Sequence, residues 1–313
     1  MSVTCPACNS ERVERIGSLP IFTPDYLGKP LDGPNTQSSL YRCSACELCF
    51  RSPMATEEEL QSYYGGLADK DWWQYEGERE VWRHIRDNLT GAPTRTVLDV
   101  GCFRGDLLCY LGNEWEKFGV EPSRDARRMA ESRGIMVIGD TIESLAKIDI
   151  RFGAITLIDV IEHLPRPLDS LRKLANLLCP GGRLVIFTGT TDALSWRFAR
   201  THYWYCAMPE HVAFFRPSWF RWAAPGLGCT VESVRRLPFQ RARPSVRLNE
   251  ALGNVAYVSY KRLENVPVLG TALRHLPIVK RIGSWPGGWW TSARDHVLVT
   301  LVKQTLKGAS LPS

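Results

Sequence analysis

An α/β fold with a mostly parallel sheet, preceded by a small cysteine-bearing module, is predicted by three observations. From Thr96 onward, short apolar runs alternate with helix-length amphipathic segments, the pattern of repeated β-α units. The first of these runs ends in a glycine-bearing turn, Asp99-Val100-Gly101-Cys102-Phe103-Arg104-Gly105-Asp106. Ahead of it, four cysteines fall in two Cys-x-x-Cys pairs, Cys5/Cys8 and Cys43/Cys46. At 313 residues, 44 % apolar and 23 % charged, the chain suffices for one large or two modest domains with a proper core. Disorder and a disulfide-stapled mini-protein are thereby excluded.

The elements follow in order. The 34 residues between Cys8 and Cys43 carry Gly17, Pro20, Pro24, Gly28, Pro30, Gly33 and Pro34, a composition for loops and short strands. After Pro53 a helix is expected, with Thr56 as N-cap and Glu59 closing a capping box. A second helix, Glu78 to Leu89, places Val81, Ile85 and Leu89 on one face. Strands are predicted at 96–100, 117–120, 135–138, 152–160 and 183–189, with helices at 106–111, 124–133, 141–146 and 167–178 between them. Two further strands, 229–237 and 296–302, flank a long insertion. The expected organisation is a module at 1–53, a helical linker or lid at 54–95 and a main domain at 96–313, with the insertion at 240–292.

Nowhere do eighteen apolar residues run uninterrupted, and the N-terminus lacks the basic-then-apolar layout of a signal peptide, so a cytoplasmic chain is expected. In a reducing compartment the ten cysteines are thiols, metal ligands or redox groups. The net charge of +6 is uneven: residues 231–313 hold 13 Lys/Arg against 4 Asp/Glu, which leaves the rest mildly acidic.

A glycine turn between strand and helix lets backbone approach a ligand closely and aims helix N-terminal amides at it. A dinucleotide fingerprint needs glycine at 103 and 106, where Phe103 and Asp106 stand, and Asp99 just before the turn suits a cationic ligand better than a pyrophosphate. Asp99, Gly101 and Gly105 resemble motif I of the class I S-adenosylmethionine-dependent methyltransferases, with Phe103 replacing the middle glycine. The resemblance continues downstream. It matches Glu121, beside Pro122, to the acid that accepts the ribose hydroxyls. Asp140, beside Thr141, matches the acid for the adenine amino group, and Asp159 with Val160 lines the methionine end. The turn residue Cys102 completes the implied cofactor set. The resemblance implies a Rossmann-like fold with a seven-stranded, mostly parallel sheet and bound S-adenosylmethionine. Any one of these acids alone is equally a helix cap or solvated turn residue.

Two Cys-x-x-Cys pairs complete a tetrahedral zinc site, so Cys5, Cys8, Cys43 and Cys46 read as a structural zinc ribbon with Cys49 as a spare candidate. The module resembles the zinc-binding segment ahead of the methyltransferase domain in bacterial enzymes acting on sugars and surface polysaccharides. Cys102, Cys109, Cys179, Cys206 and Cys229 read as packed small apolar residues.

Transfer to a hydroxyl needs alignment and a base. Glu162-His163 follows the fourth strand, and the segment Thr201 to Phe215 contains a Pro-x-His-x-x-x-Phe pattern that resembles acceptor loops of small-molecule methyltransferases. His211 is the first candidate base and His163 the second; either can instead be a hydrogen-bonding pillar. The aromatics Trp72, Trp73, Tyr75, Tyr203, Trp204 and Tyr205 form a lid, stack on a sugar ring, or belong to the core.

Residues 240–292 interleave eight Lys/Arg with Leu, Val, Ile and three tryptophans. This suits peripheral docking on the inner membrane face near a lipid-linked glycan, a solvated helical cover, or less readily a nucleic acid. The expected activity is O-methylation of a sugar, on a nucleotide sugar or a lipid-linked glycan. RNA methylation and a non-catalytic zinc-stabilised binding protein stand as alternatives, the latter because of Phe103.

Overall fold

The computed structural model describes residues 3–19, 38–56, 58–60, 79–208, 210–263 and 290–305. The expected lid aromatics Trp72, Trp73 and Tyr75, most of the Cys8–Cys43 spacer and residues 264–289 of the insertion lie outside them, as does Pro209.

Eleven strands are described, in two sheets. The larger has seven strands: β4 (Thr96–Val100), β5 (Glu116–Val120), β6 (Met136–Gly139), β7 (Phe152–Ile158), β8 (Leu178–Gly189), β10 (Cys229–Leu237) and β11 (His296–Lys303). Their spatial order is β10-β11-β8-β7-β4-β5-β6. Pairings among β4 to β8 are parallel, and β11 joins antiparallel to both β8 and β10. This is the α/β architecture that the alternating pattern predicts, with the seven-stranded Rossmann-like sheet that the resemblance implies.

Helices cross over between the strands. They are α1 (Glu80–Leu89), α2 (Asp106–Tyr110), α3 (Arg124–Ser132), α4 (Pro167–Leu177), α5 (Leu194–Ala199), α6 (Pro217–Ala223) and α7 (Pro244–Leu263). Pro167 begins α4 at the position where a missing amide costs nothing, and Ser123 caps α3 by accepting from Ala126 N. The expected helix at 141–146 is instead a 3-10 turn, Glu143–Lys147. The strand expected to run to 160 ends at Ile158, because Asp159 adopts a positive φ of 55° that extended pairing does not allow. The capping box at 56–59 forms: Thr56 N donates to Glu59 Oε2 at 2.7 Å, and Glu59 N to Thr56 Oγ1 at 3.2 Å.

Val81, Ile85 and Leu89 of α1 are buried against Val97, Val185, Phe187 and Leu298 on one face of the sheet. Such burial contributes roughly 1.5–3 kcal/mol for each large side chain. On the other face, one apolar cluster runs from Leu157 and Ile186 through Phe215 and Trp219 to Leu48 and Phe50. That continuity ties the small sheet to the large one.

The small sheet is antiparallel, in the order β1-β2-β3-β9, with β1 (Val13–Ser18), β2 (Ser39–Cys43) and β3 (Cys49–Ser52) from the N-terminal segment. Its fourth strand, β9 (Ala213–Phe214), comes from the far side of β8: Cys49 pairs with Phe214 and Phe50 with Ala213. Among the other cysteines, Cys102, Cys206 and Cys229 are buried as expected, whereas Cys109 is exposed and Cys179 half-buried. The first lies on the outward face of α2; the second lies at the irregular start of β8, where its thiol reaches Phe152 O at 3.2 Å.

Candidate functional site

The C-terminal ends of β7, β4, β5 and β6 lie side by side, the edge where open parallel sheets take ligands. After β4 the chain turns at Gly101 with φ +73°. A Cβ there would stand 2.6 Å from Val160 Cγ2, so glycine is demanded twice, by conformation and by contact. Gly105 caps α2 at φ +79°, and its absent Cβ leaves room for Ile135 Cδ1. Phe103 adopts φ +48°, the left-handed conformation the usual glycine would supply, so the turn keeps its shape with an aromatic side chain in place. Its amide donates to Glu121 Oε2 at 2.9 Å.

The acids along this edge differ in environment. Glu121, 6 % exposed, also accepts from Ser123 N at 2.8 Å, and burial raises its pKa. Each oxygen keeps a second lone pair for a hydroxyl donor. Asp99 lies beneath the turn, where Thr156 Oγ1 donates to it at 2.6 Å and burial lifts its pKa to about 7. Asp140 is exposed, and Thr141 turns its amide toward Ser144 Oγ. Asp159 pairs with Arg79, Nη2 to Oδ2 at 2.9 Å, while its buried Oδ1 has no hydrogen-bond partner among the described residues. Arg79 also lies over the Phe239 ring at 5.0 Å. Nothing in the sequence marked this arginine, which sits just ahead of α1.

Beyond β7 a second group gathers. Glu162 is wholly buried; it accepts from Thr188 Oγ1 at 3.0 Å and from the Tyr205 hydroxyl, and burial together with Asp159 pushes its pKa to about 7. His163 Nδ1 faces Glu210 O at 3.1 Å and His211 Nδ1 faces Tyr205 O at 2.9 Å. A carbonyl only accepts, so His211 carries its proton on Nδ1 and keeps the Nε2 lone pair, whereas His163 faces the main chain of both Glu210 and Asp159. Their centroids lie 4.8 Å apart. Burial lowers the pKa of His163 and takes that of His211 well below the ordinary histidine value, so both rings are neutral. Donor atoms of Glu162, His163 and His211 fall within 4.8 Å of one another, a spacing open to a metal ion, although both Glu162 oxygens already accept from side chains.

Tyr203, Trp204 and Tyr205 are buried, which favours the core reading, yet they also build this site. The Tyr205 ring lies 4.0 Å from His211 and its hydroxyl accepts from Gly189 N at 3.1 Å. Trp204 Nε1 donates to Asp295 Oδ2 at 3.2 Å, and Asp295 Oδ1 meets His296 Nδ1 at 2.8 Å. His296 stacks on Phe187. This buried pair escapes sequence reading because a single Asp-His ahead of an apolar strand carries no periodic signal.

Cys5, Cys8, Cys43 and Cys46 converge at the closed end of the small sheet, with Cys5 Sγ 3.5 Å from Cys46 Sγ and Cys8 Sγ 3.6 Å from Cys43 Sγ. A tetrahedral zinc with bonds of about 2.3 Å holds its sulfurs about 3.8 Å apart, so the cluster fits one such ion. The two knuckles are alike: Asn9 N donates to Cys5 O and Glu47 N to Cys43 O, with Asn9 and Glu47 both left-handed. A hydrogen bond from Cys46 draws the Cys5 thiol down to about 5. Cys49 is not one of the four: it is buried on β3, and that burial pushes its thiol up to about 11.

The family described as a methyltransferase domain matches residues 73–234. A ubiquinone biosynthesis O-methyltransferase of Serratia proteamaculans is 31 % identical over 169 residues, which cover 47 % of this chain and 70 % of that protein. One from Proteus mirabilis is 32 % identical over 141 residues, covering 40 % and 58 % respectively. A solved SAM dependent methyltransferase of Archaeoglobus fulgidus covers 72 % of this chain and 95 % of its own at 20 % identity, with a TM-score of 0.48.

Proposed function

The chain belongs to the methyltransferase-domain family, and from that premise we propose that this S-adenosylmethionine-dependent methyltransferase acts on a hydroxyl of a small molecule. Bound S-adenosylmethionine supplies a methyl group activated on a sulfonium. The residues at the strand ends fit that group: positive φ at Gly101, Phe103 and Gly105 folds the backbone into a tight turn at the strand end, and Asp159 offers a buried oxygen in want of a donor. Glu121 would hold the ribose hydroxyls, Asp140 and Thr141 the adenine end, and Asp159 with Val160 the methionine end. Asp99 supports the turn from below, and Pro122 and Cys102 line it.

The observation that carries the hydroxyl acceptor is the tautomer of His211, set by the Tyr205 carbonyl at Nδ1. A neutral Nε2 beside a buried carboxylate is equipped to take a proton. His211 serves as base, oriented through Nδ1 by the Tyr205 carbonyl, and His163 supports it from the neighbouring element. Glu162 fixes Tyr205 and, through its own carbonyl, Val212 N at 2.9 Å.

For the finer acceptor, a sugar hydroxyl in surface polysaccharide assembly is favoured by the four-cysteine module ahead of the domain. A phenolic hydroxyl is favoured by the aromatic surroundings, Tyr205, Trp204 and Phe239, and by the names of the relatives. Docking on an anionic membrane is supported by α7, where Leu248, Leu252 and Val255 lie exposed at helical spacing beside Arg247. No helix of the described residues is long and apolar enough to cross a membrane.

Label transfer from methyl-tritiated S-adenosylmethionine to a panel of nucleotide sugars, lipid-linked glycans, catechols and RNA tests the assignment. Labelled ether on a sugar or catechol supports it; label on RNA alone overturns it. Vesicle flotation with and without residues 240–292 tests the membrane reading, and equal flotation ends it.

A further inference from the structure

The third residue of β3, Arg51, is among the largest fully enclosed side chains of the protein, 2 % exposed. Its guanidinium does not meet a carboxylate in any of its four hydrogen bonds. Nη2 donates to Cys206 O at 2.8 Å and to Met208 O at 3.0 Å, Nε to His211 O at 3.1 Å, and Nη1 to Ser38 Oγ at 2.6 Å. Burial brings its pKa down to about 10, which still leaves it charged at neutral pH. Enclosing a charge this way is costly unless its donors are well used, and here three of the four bonds go to one short stretch of main chain.

That stretch is the acceptor side. The carbonyls of Cys206, Met208 and His211 bracket the turn between Tyr205 and His211. The Arg51 backbone continues the contact, its amide donating to Val212 O at 2.9 Å, while Val212 N donates to Glu162 O. The planar fork of an arginine reaches several carbonyls at once in fixed directions; a lysine ammonium on a flexible stem does not. We propose that Arg51 is the positioning residue of the acceptor side: from the four-cysteine module it holds segment 205–212, and with it His211 and Tyr205, in register with Glu162. The module is then a wall of the methyl-transfer site, and the closure of its cysteine cluster reaches the site through β3. The roles of His211 and Tyr205 rest on the function proposed above; the placement of the segment does not.

Hydrogen exchange of the full-length, zinc-loaded chain tests this without an acceptor. In Arg51→Ala, amides of 205–213 are expected to exchange about tenfold faster or more, with peptides 152–158 and 183–188 unchanged. Affinity for S-adenosylhomocysteine, the probe for the cofactor edge, stays within about twofold, and Arg51→Lys recovers part of the protection. Stripping zinc from the wild-type chain with a chelator raises exchange in 39–52 and 205–213 together. With an acceptor from the panel above, kcat of Arg51→Lys falls about tenfold while KM for S-adenosylmethionine holds. Unchanged exchange in 205–213 overturns the proposal. So does acceleration across the whole chain with Lys no better than Ala, or a chelated chain that opens 39–52 and leaves 205–213 protected. A panel without product speaks against the acceptor chemistry and leaves these exchange results standing.

Discussion

At the residue scale, protonation sets what each group can do. His211 has its pKa pushed well below the ordinary histidine value, first by burial and then by His163, so it remains a base across neutral pH. His211→Ala is expected to lower kcat by about 10² to 10⁴, the worth of a positioned general base, with cofactor affinity retained. A pH-rate profile of the wild type should keep its base-dependent plateau further into the acid range than an unperturbed histidine would allow. Asp99 works in the opposite sense. Its folded pKa, about 7, exceeds the ordinary 3.8 because of burial, so its share of stability is complete below about pH 4 and is lost as pH rises through 7. Asp99→Asn should therefore be more stable than the wild type at pH 8, by at most on the order of 4 kcal/mol, with no advantage at pH 4. Urea titrations at the two pH values measure this; a variant less stable at pH 8 contradicts it.

At the element scale, the turn between β4 and α2 is where sequence and structure agree closely and where a single added methyl group is damaging. Gly101→Ala meets both a left-handed φ and Val160 Cγ2, and should cost about 1–3 kcal/mol together with cofactor affinity. Adding Val160→Ala removes the contact but not the dihedral strain, so a double-mutant cycle followed by denaturation should show partial rescue. The two glycines and the acids after β5, β6 and β7 were legible because a strand-turn-helix needs particular residue types at fixed spacing. Arg79, Thr188, Asp295 and His296 were not, since each acts through a partner far away in the chain. The extents of β7 and of the 141–147 segment also escaped, because a positive φ at Asp159 and the choice between 3-10 and α geometry depend on neighbours.

At the scale of the whole molecule, the cysteine cluster and the large sheet are one structure, since β9 pairs with β3 and the apolar cluster spans both. One zinc per chain is expected by elemental mass spectrometry, lost in Cys5→Ser or Cys46→Ser and kept in Cys49→Ser, because the four sulfurs of the cluster exclude Cys49. Retention of full zinc by Cys46→Ser would contradict the ligand set. Sequence by itself determined the succession of the seven strands of the large sheet, the glycine turn, the row of acids and the two cysteine pairs, for all of these rest on local spacing and conformational preference. Only tertiary structure decided which nitrogen of His211 carries its proton, that Glu162 is held by Tyr205 and Thr188, and that Arg51 grips the loop bearing His211. Those outcomes depend on burial and on hydrogen bonds between residues up to 160 positions apart, which no local pattern encodes.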